Sequence, residues 1–153
     1  MQSFLLFVKP KNMKKIILIF IVVTTSFTTQ SFCQNTSASP SVKNGQSVYE
    51  SYCMSCHMED GKGIEGAFPS LVQTGNLNDK NRLVKIILQG MRGKIVVKGT
   101  NYDAEMAGIS LSDQEVSDVI NYIRNSWGNK APLMKLNEVE VAKKSVVKGY
   151  QPY

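Results

Sequence analysis

The sequence predicts an all-α domain of three to five helices. Apolar residues recur at helical spacing over about residues 41–53, 79–89 and 112–127. The last segment opens with a capping box of Ser112 and Glu115, and Gly128 is expected to end it. The first segment leads into the run Cys53-Met54-Ser55-Cys56-His57. A chemically specialised motif therefore lies between the helices of a small domain.

The first helix is expected from about Ser41 to Cys53, after a polar linker at residues 34–40. Its apolar stripe consists of Val42, Val48, Tyr49 and Tyr52. Gly45 lies within that stripe, although glycine lowers helix stability relative to alanine. It therefore predicts close approach by another helix, with a weak point or a helix start as the alternative.

The middle of the chain combines loops, one helix and one hairpin. Glycines allow a tight loop over residues 59–66. The second helix is expected after Asn78 or Asp79 and ends at Gly90. Its inward residues are Leu83, Ile86 and Ile87. Residues 95–97, followed by a Lys98-Gly99 turn, predict a small hairpin.

The last core helix has the clearest apolar stripe, formed by Val116, Val119, Ile120, Ile123 and Trp127. A tail over residues 129–153 follows it. Asn137 and Glu140 are expected to cap a short helix up to Val147 in this tail. Its alternating charges are typical of a solvated face.

The C-x-x-C-H run is the strongest chemical signal in the chain. It is typical of covalent c-type haem attachment, in which two thiols bind the porphyrin and a histidine binds the iron. Cys53 and Cys56 are the expected thioether positions, and His57 is the expected iron ligand. A thioredoxin-like pair, a zinc site and a disulfide are the alternatives. The first normally follows a strand, the second lacks an evident further ligand, and the third leaves the histidine unexplained.

The histidine count restricts the other face of the iron. His57 is the only histidine in all 153 residues. A second iron ligand from this chain must therefore be a different residue, and methionine is the natural candidate.

Residues 1–33 are predicted to be a signal peptide, with Met13 as an alternative start. The apolar core at residues 16–23 follows a basic pair and is too short to span a bilayer comfortably. Cleavage is expected before Gln34, which also removes Cys33. The mature protein is then periplasmic. An uncleaved anchor is the alternative.

The mature chain has a small net charge. The full sequence carries a formal charge of +6, but the predicted signal peptide contains four lysines and no acidic residue, which leaves +2. The basic composition is therefore poor evidence for nucleic-acid or membrane binding. No nucleic-acid partner is expected, and membrane association is expected only through an uncleaved signal or a larger complex.

The order of these parts resembles the class I cytochromes c over about residues 41–130. The glycine loop leads to Phe68-Pro69, and a methionine loop precedes a last helix ending in Trp127-Gly128. The resemblance implies a cytochrome c fold at residues 41–128, with helices wrapped around one covalent haem c. It also implies that the first and last helices cross, with Gly45 and Tyr49 on the first and Tyr122 and Trp127 on the last.

The resemblance implies further roles beyond the haem motif. Pro69 corresponds to the proline whose carbonyl accepts the second ring N–H of the histidine ligand. Met106 corresponds to the distal iron ligand, and Met91 is a competing methionine. Ala107 stands where the family usually has proline, which implies a less rigid loop.

The chain is especially similar to small cytochromes that accept electrons from periplasmic dehydrogenases or occur beside terminal oxidases. This implies a single-electron carrier, or an electron-transfer subunit of such a complex, and no enzyme. The alternative is a haem enzyme or gas-binding sensor, which requires that Met106 leaves the iron open. A third hypothesis is a docking subunit that acts through its basic tail. For the carrier, docking is expected at a small apolar patch around the haem edge.

Overall fold

The computed structural model describes residues 39–153, in which five α-helices and one short hairpin alternate with loops. The helices are α1 (Pro40–Tyr52), α2 (Met54–His57), α3 (Lys80–Gln89), α4 (Asp113–Ile123) and α5 (Leu136–Lys144). Strands β1 (Ile95–Val97) and β2 (Thr100–Tyr102) are antiparallel, and a 3-10 turn spans Gly75–Leu77. The signal peptide, its cleavage site, Cys33 and most of the linker lie outside the described residues. Within this range no helix is long and apolar enough to cross a membrane.

Several predicted boundaries are confirmed, and side chains explain them. The Asp79 side chain accepts a hydrogen bond from the Arg82 N–H at 3.0 Å and so caps α3. Gly90 ends that helix with a φ of 71°. Ser112 and Glu115 form the capping box of α4, each accepting from the other's backbone N–H.

The prediction that the last core helix reaches Trp127 is wrong. Helix α4 ends at Ile123, and Trp127 lies in a turn with a φ of 52°. The Asn129 side-chain amide donates to the Ile123 carbonyl at 2.6 Å and to the Leu71 carbonyl at 2.9 Å. The bond to Ile123 satisfies one of the carbonyl groups that a helix leaves without an internal partner at its C-terminal end. The chain therefore turns here, although the apolar stripe continues.

The expected caps of the tail helix are also wrong. Helix α5 begins at Leu136, because the Glu138 carboxylate accepts a hydrogen bond from the Lys135 N–H at 2.7 Å. Its charged face is solvated, but Val139 and Ala142 on the opposite face are fully buried. Met134 just before the helix is also buried. Residues 129–153 thus pack on the same core as the rest of the described chain.

Polar side chains at the end of α4 hold the segment that leads into α5. The Asn121 amide accepts from the Met134 N–H at 2.6 Å and donates to the Met134 carbonyl at 3.0 Å. Arg124 donates to the Pro132 carbonyl at 3.2 Å. The Asn125 side chain accepts from the Ala131 N–H at 3.3 Å. Three side chains of one helix end therefore bind backbone groups of residues 131–134.

Helices α1 and α4 cross at Gly45, as the sequence predicts. A methyl group at this position would overlap the Asp118 carbonyl and would lie 2.9 Å from Cβ of Tyr122. Beside the crossing, the Tyr49 ring lies 5.3 Å from the Tyr122 ring and 5.1 Å from the Trp127 ring. Such tilted aromatic contacts add stability beyond the area that they bury.

We predict that Gly45→Ala destabilises the protein. Alanine is a better helix former than glycine, so any loss of stability in this variant must come from the helix crossing. Overlap with the α4 backbone should lower the free energy of unfolding by about 1–3 kcal/mol. Denaturant unfolding measures this change. Gly75→Ala is the matched control, because nothing lies within 4 Å of a methyl group there. Equal stability of the two variants would contradict the crossing argument.

Candidate functional site

Helix α1 leads directly into the C-x-x-C-H run. The Cys53 N–H donates to the Tyr49 carbonyl at 2.8 Å, and the His57 N–H donates to the Cys53 carbonyl at 2.9 Å. After His57 the chain reverses at Met58, which has a φ of 62°. The Tyr49 hydroxyl donates to the Met58 carbonyl at 2.7 Å. The motif is therefore held at both ends by α1.

The cysteines and the histidine line a cavity of about 590 Å³. This volume is typical of a site for a small molecule or cofactor. Most of its wall is apolar and comes from α3, from the hairpin and from the loop before α4. The apolar lining residues include Phe68, Leu71, Leu83, Ile86, Ile87, Ile95, Val97, Ile109 and Val119.

The His57 ring is oriented by Pro69. Its Nδ1 lies 3.0 Å from the Pro69 carbonyl oxygen. A carbonyl can only accept, so Nδ1 carries the proton and Nε2 keeps a free lone pair. Burial lowers the pKa of His57, and the bond to the Pro69 carbonyl opposes that shift only in part. The imidazole is therefore neutral at neutral pH, which is the form that binds a metal.

Two methionines line the cavity, and their backbones are paired. The Met91 N–H donates to the Met106 carbonyl at 2.7 Å, and the Met106 N–H donates to the Met91 carbonyl at 2.8 Å. Met91 is 9% exposed and belongs to the core, whereas Met106 is only half-buried by protein atoms. Of the two, Met106 therefore presents more of its side chain to the cavity or to solvent.

The residues around the cavity fit a covalent haem. The apolar wall suits a porphyrin face, and the two thiols and the imidazole lie together at one side. Burial, followed by the nearby Cys56, raises the pKa of the Cys53 thiol to about 11. The free Cys53 thiol is therefore uncharged at neutral pH, as is the thioether that it forms with haem. A bound haem supplies an iron that gains and loses one electron.

Several polar residues of the wall, among them Thr74, Asn76 and Arg82, are missing from the sequence-based site. Thr74 and Asn76 carry no sequence signal, because they lie around an irregular turn. Arg82 does carry one. It precedes the lining residue Ile86 by four positions, and residues at that spacing share a helix face.

Comparison with known proteins agrees with this geometry. Residues 42–127 match the cytochrome c family. Cytochrome c-552 of Thermus thermophilus is 33% identical over 118 residues, which cover 72% of this chain and 77% of the relative.

Subunits of larger enzymes also match. The cytochrome c subunit of a quinone-dependent alcohol dehydrogenase from Gluconacetobacter polyoxogenes is 36% identical over 95 residues, which cover 58% of this chain and 19% of that subunit. The cytochrome c subunit of gluconate 2-dehydrogenase from Pantoea cypripedii is 34% identical over 117 residues, covering 71% of this chain and 26% of that subunit. The chain thus corresponds to about a fifth to a quarter of these subunits.

The cysteine pair, the oriented histidine and the apolar cavity agree with what these matches imply. The chain belongs to the cytochrome c family, and it is an electron-transfer protein that carries a covalently bound haem c.

Proposed function

We propose that this protein is an exported, periplasmic carrier of single electrons whose haem iron is bound between His57 and Met106. It receives electrons from a dehydrogenase, either as a separate carrier or as a subunit, and passes them towards a terminal oxidase. The proposed export rests on the signal-like sequence of residues 13–33. The proposed donor class rests on the relatives that are cytochrome subunits of dehydrogenases.

The observation that carries the iron ligation is the composition of the cavity wall, which includes both His57 and Met106. A thioether sulfur favours ferrous iron and raises the reduction potential. An iron with two protein ligands also leaves no position for a substrate, so it exchanges electrons and does no bond chemistry. Pro69 supports this role by fixing the ring of His57.

We also propose that redox partners dock at a small apolar patch around the haem edge, and exposed residues at the rim of the cavity support this. Tyr52 and Val96 line the cavity and are 51% and 59% exposed. The tail lysines are a weaker basis for docking, because two of the five, Lys143 and Lys144, form ion pairs within the protein. Lys143 binds Asp113 at 2.9 Å and Glu140 at 3.2 Å.

We predict that Cys53→Ser combined with Cys56→Ser abolishes covalent haem, because serine forms no thioether. Haem staining after denaturing gel electrophoresis measures this in protein made with a cytochrome c maturation system. Ser55→Ala, within the same run, is the control and should keep its stain. Haem that extracts into acidified organic solvent from the unmodified protein would contradict covalent attachment.

We predict that Met106→Ala removes the weak far-red band that an iron–sulfur bond gives the oxidised protein. The variant should also bind carbon monoxide or cyanide and have a lower potential. Met91→Ala is the comparison, since Met91 lines the same cavity. If only Met91→Ala removes the band, Met91 is the ligand. If the unmodified protein already binds carbon monoxide, the open-site alternative of a sensor or haem enzyme is favoured.

We predict that the rate of reduction by a partner dehydrogenase depends only mildly on salt, changing less than about threefold across the physiological range, because few charges are screened. Val96→Ser at the cavity rim should slow the reaction, whereas Val146→Ser, 98% exposed and not part of the cavity wall, should not. Weak electron-transfer complexes of this kind bury less than about 1,200 Å² of surface in total, so one rim residue is a sizeable part of the contact.

The tail lysines are tested by substitution, because removal of residues 129–153 would also remove buried Met134, Val139 and Ala142. The variant Lys130→Gln, Lys144→Gln, Lys148→Gln should keep the rate of the unmodified protein. A steep salt dependence that persists in this variant would contradict the apolar docking surface. A steep dependence that disappears would instead favour docking through the tail.

A further inference from the structure

The backbone of Met91 lies between Met106 on one side and the C-terminal segment (residues 145–153) on the other. Both of its hydrogen bonds to Met106 are made by the peptide groups that flank Met91. Each of these two peptide groups has a second polar atom, which points away from Met106. The partners of those second atoms therefore help to fix the backbone to which Met106 is bonded.

The C-terminal segment supplies both partners. In the peptide group of Gly90 and Met91, the N–H donates to Met106, while the Gly90 carbonyl lies 2.7 Å from the Tyr150 hydroxyl. That hydroxyl also lies 2.9 Å from the Lys85 carbonyl, so its one proton is shared between the two carbonyls. In the peptide group of Met91 and Arg92, the carbonyl accepts from Met106, while the Arg92 N–H donates to the Gln151 carbonyl at 3.1 Å. Neither peptide group can rotate without breaking a bond on each side.

Further contacts bring the C-terminal segment close to the same place. The Tyr153 N–H donates to the Gln89 carbonyl at 3.2 Å, and a methyl group at Gly90 would lie 2.6 Å from Cβ of Tyr153. The same methyl group would overlap the Met106 carbonyl. Gly90 is thus the point where the end of α3, the methionine loop and the C-terminal segment meet.

We infer that the C-terminal segment, through the Tyr150 hydroxyl and the Gln151 carbonyl, is a positioning element that sets how strongly Met106 binds the haem iron. The inference rests on the proposed role of Met106 as a ligand. Tyr150 is not part of the cavity wall and acts through the backbone beside Met91. This support is independent of the residue after Met106, which is alanine at position 107. A hydrogen-bonded backbone thus holds the loop from behind.

The test uses the protein with its haem attached and imidazole as a competing iron ligand. Tyr150→Phe keeps the ring and removes the hydroxyl. It should weaken the far-red band, lower the reduction potential and raise the affinity of the oxidised iron for imidazole roughly fivefold, as loss of one hydrogen bond implies. Deletion of residues 151–153, a second variant, should act in the same direction.

Val139→Ala is the control for general destabilisation. Val139 is a buried residue of α5 and is not part of the cavity wall. This variant should unfold at lower denaturant concentration but bind imidazole with unchanged affinity. If it raises the affinity as much as Tyr150→Phe does, the effect is general loosening and the inference is overturned.

Met106→Ala separates the two proposals. If it abolishes the band while Tyr150→Phe and the deletion leave the band and imidazole affinity unchanged, the positioning role is overturned and the ligand stands. If Met106→Ala itself leaves the band unchanged, the proposed ligand fails, and the inference fails with it.

Discussion

The crossing of α1 and α4 at Gly45 is the contact on which the site depends. Because residue 45 has no side chain, the α4 backbone at Asp118 can lie directly against α1. Tyr49, one turn further along α1, then contacts Tyr122 and Trp127 and bonds to the Met58 carbonyl. The C-x-x-C-H run lies between Tyr49 and Met58, so both of its ends are fixed by the same helix contact.

The two sides of the cavity are held by different means. On the histidine side, helix packing and the Pro69 carbonyl fix the ring of His57. On the methionine side, where the chain is irregular, paired peptide groups fix Met91 and Met106. Both sets of hydrogen bonds are made between groups of the protein itself.

Local signals made most of the helices and the haem motif predictable from sequence. The Asp79 cap, the Ser112–Glu115 capping box and Gly45 each act through neighbouring residues or through a missing side chain, and all three are visible in the sequence. The early end of α4 was not predictable, because it depends on Asn129 binding back to the Ile123 carbonyl. The buried face of α5 was missed for a similar reason. Helix α5 has four apolar residues, of which Leu136 and Val141 are exposed. The burial of Val139 and Ala142 depends on α3 and α4 lying beneath them.

The way in which α4 holds residues 131–134 leaves the exposed side chains of this segment free to vary, although Met134 is buried. Asn121, Arg124 and Asn125 bind main-chain N–H and carbonyl groups, which are common to nearly all residue types. Leu133, between two of the bound residues, is 43% exposed. Its identity can therefore change without loss of the attachment. Replacing Asn121 by the isosteric aspartate would instead remove one of the two donors to the Met134 carbonyl, the other being the Ser117 hydroxyl. The segment thus combines a fixed main-chain path with an exposed side chain, Leu133, whose chemistry can change without altering the wall of the haem cavity.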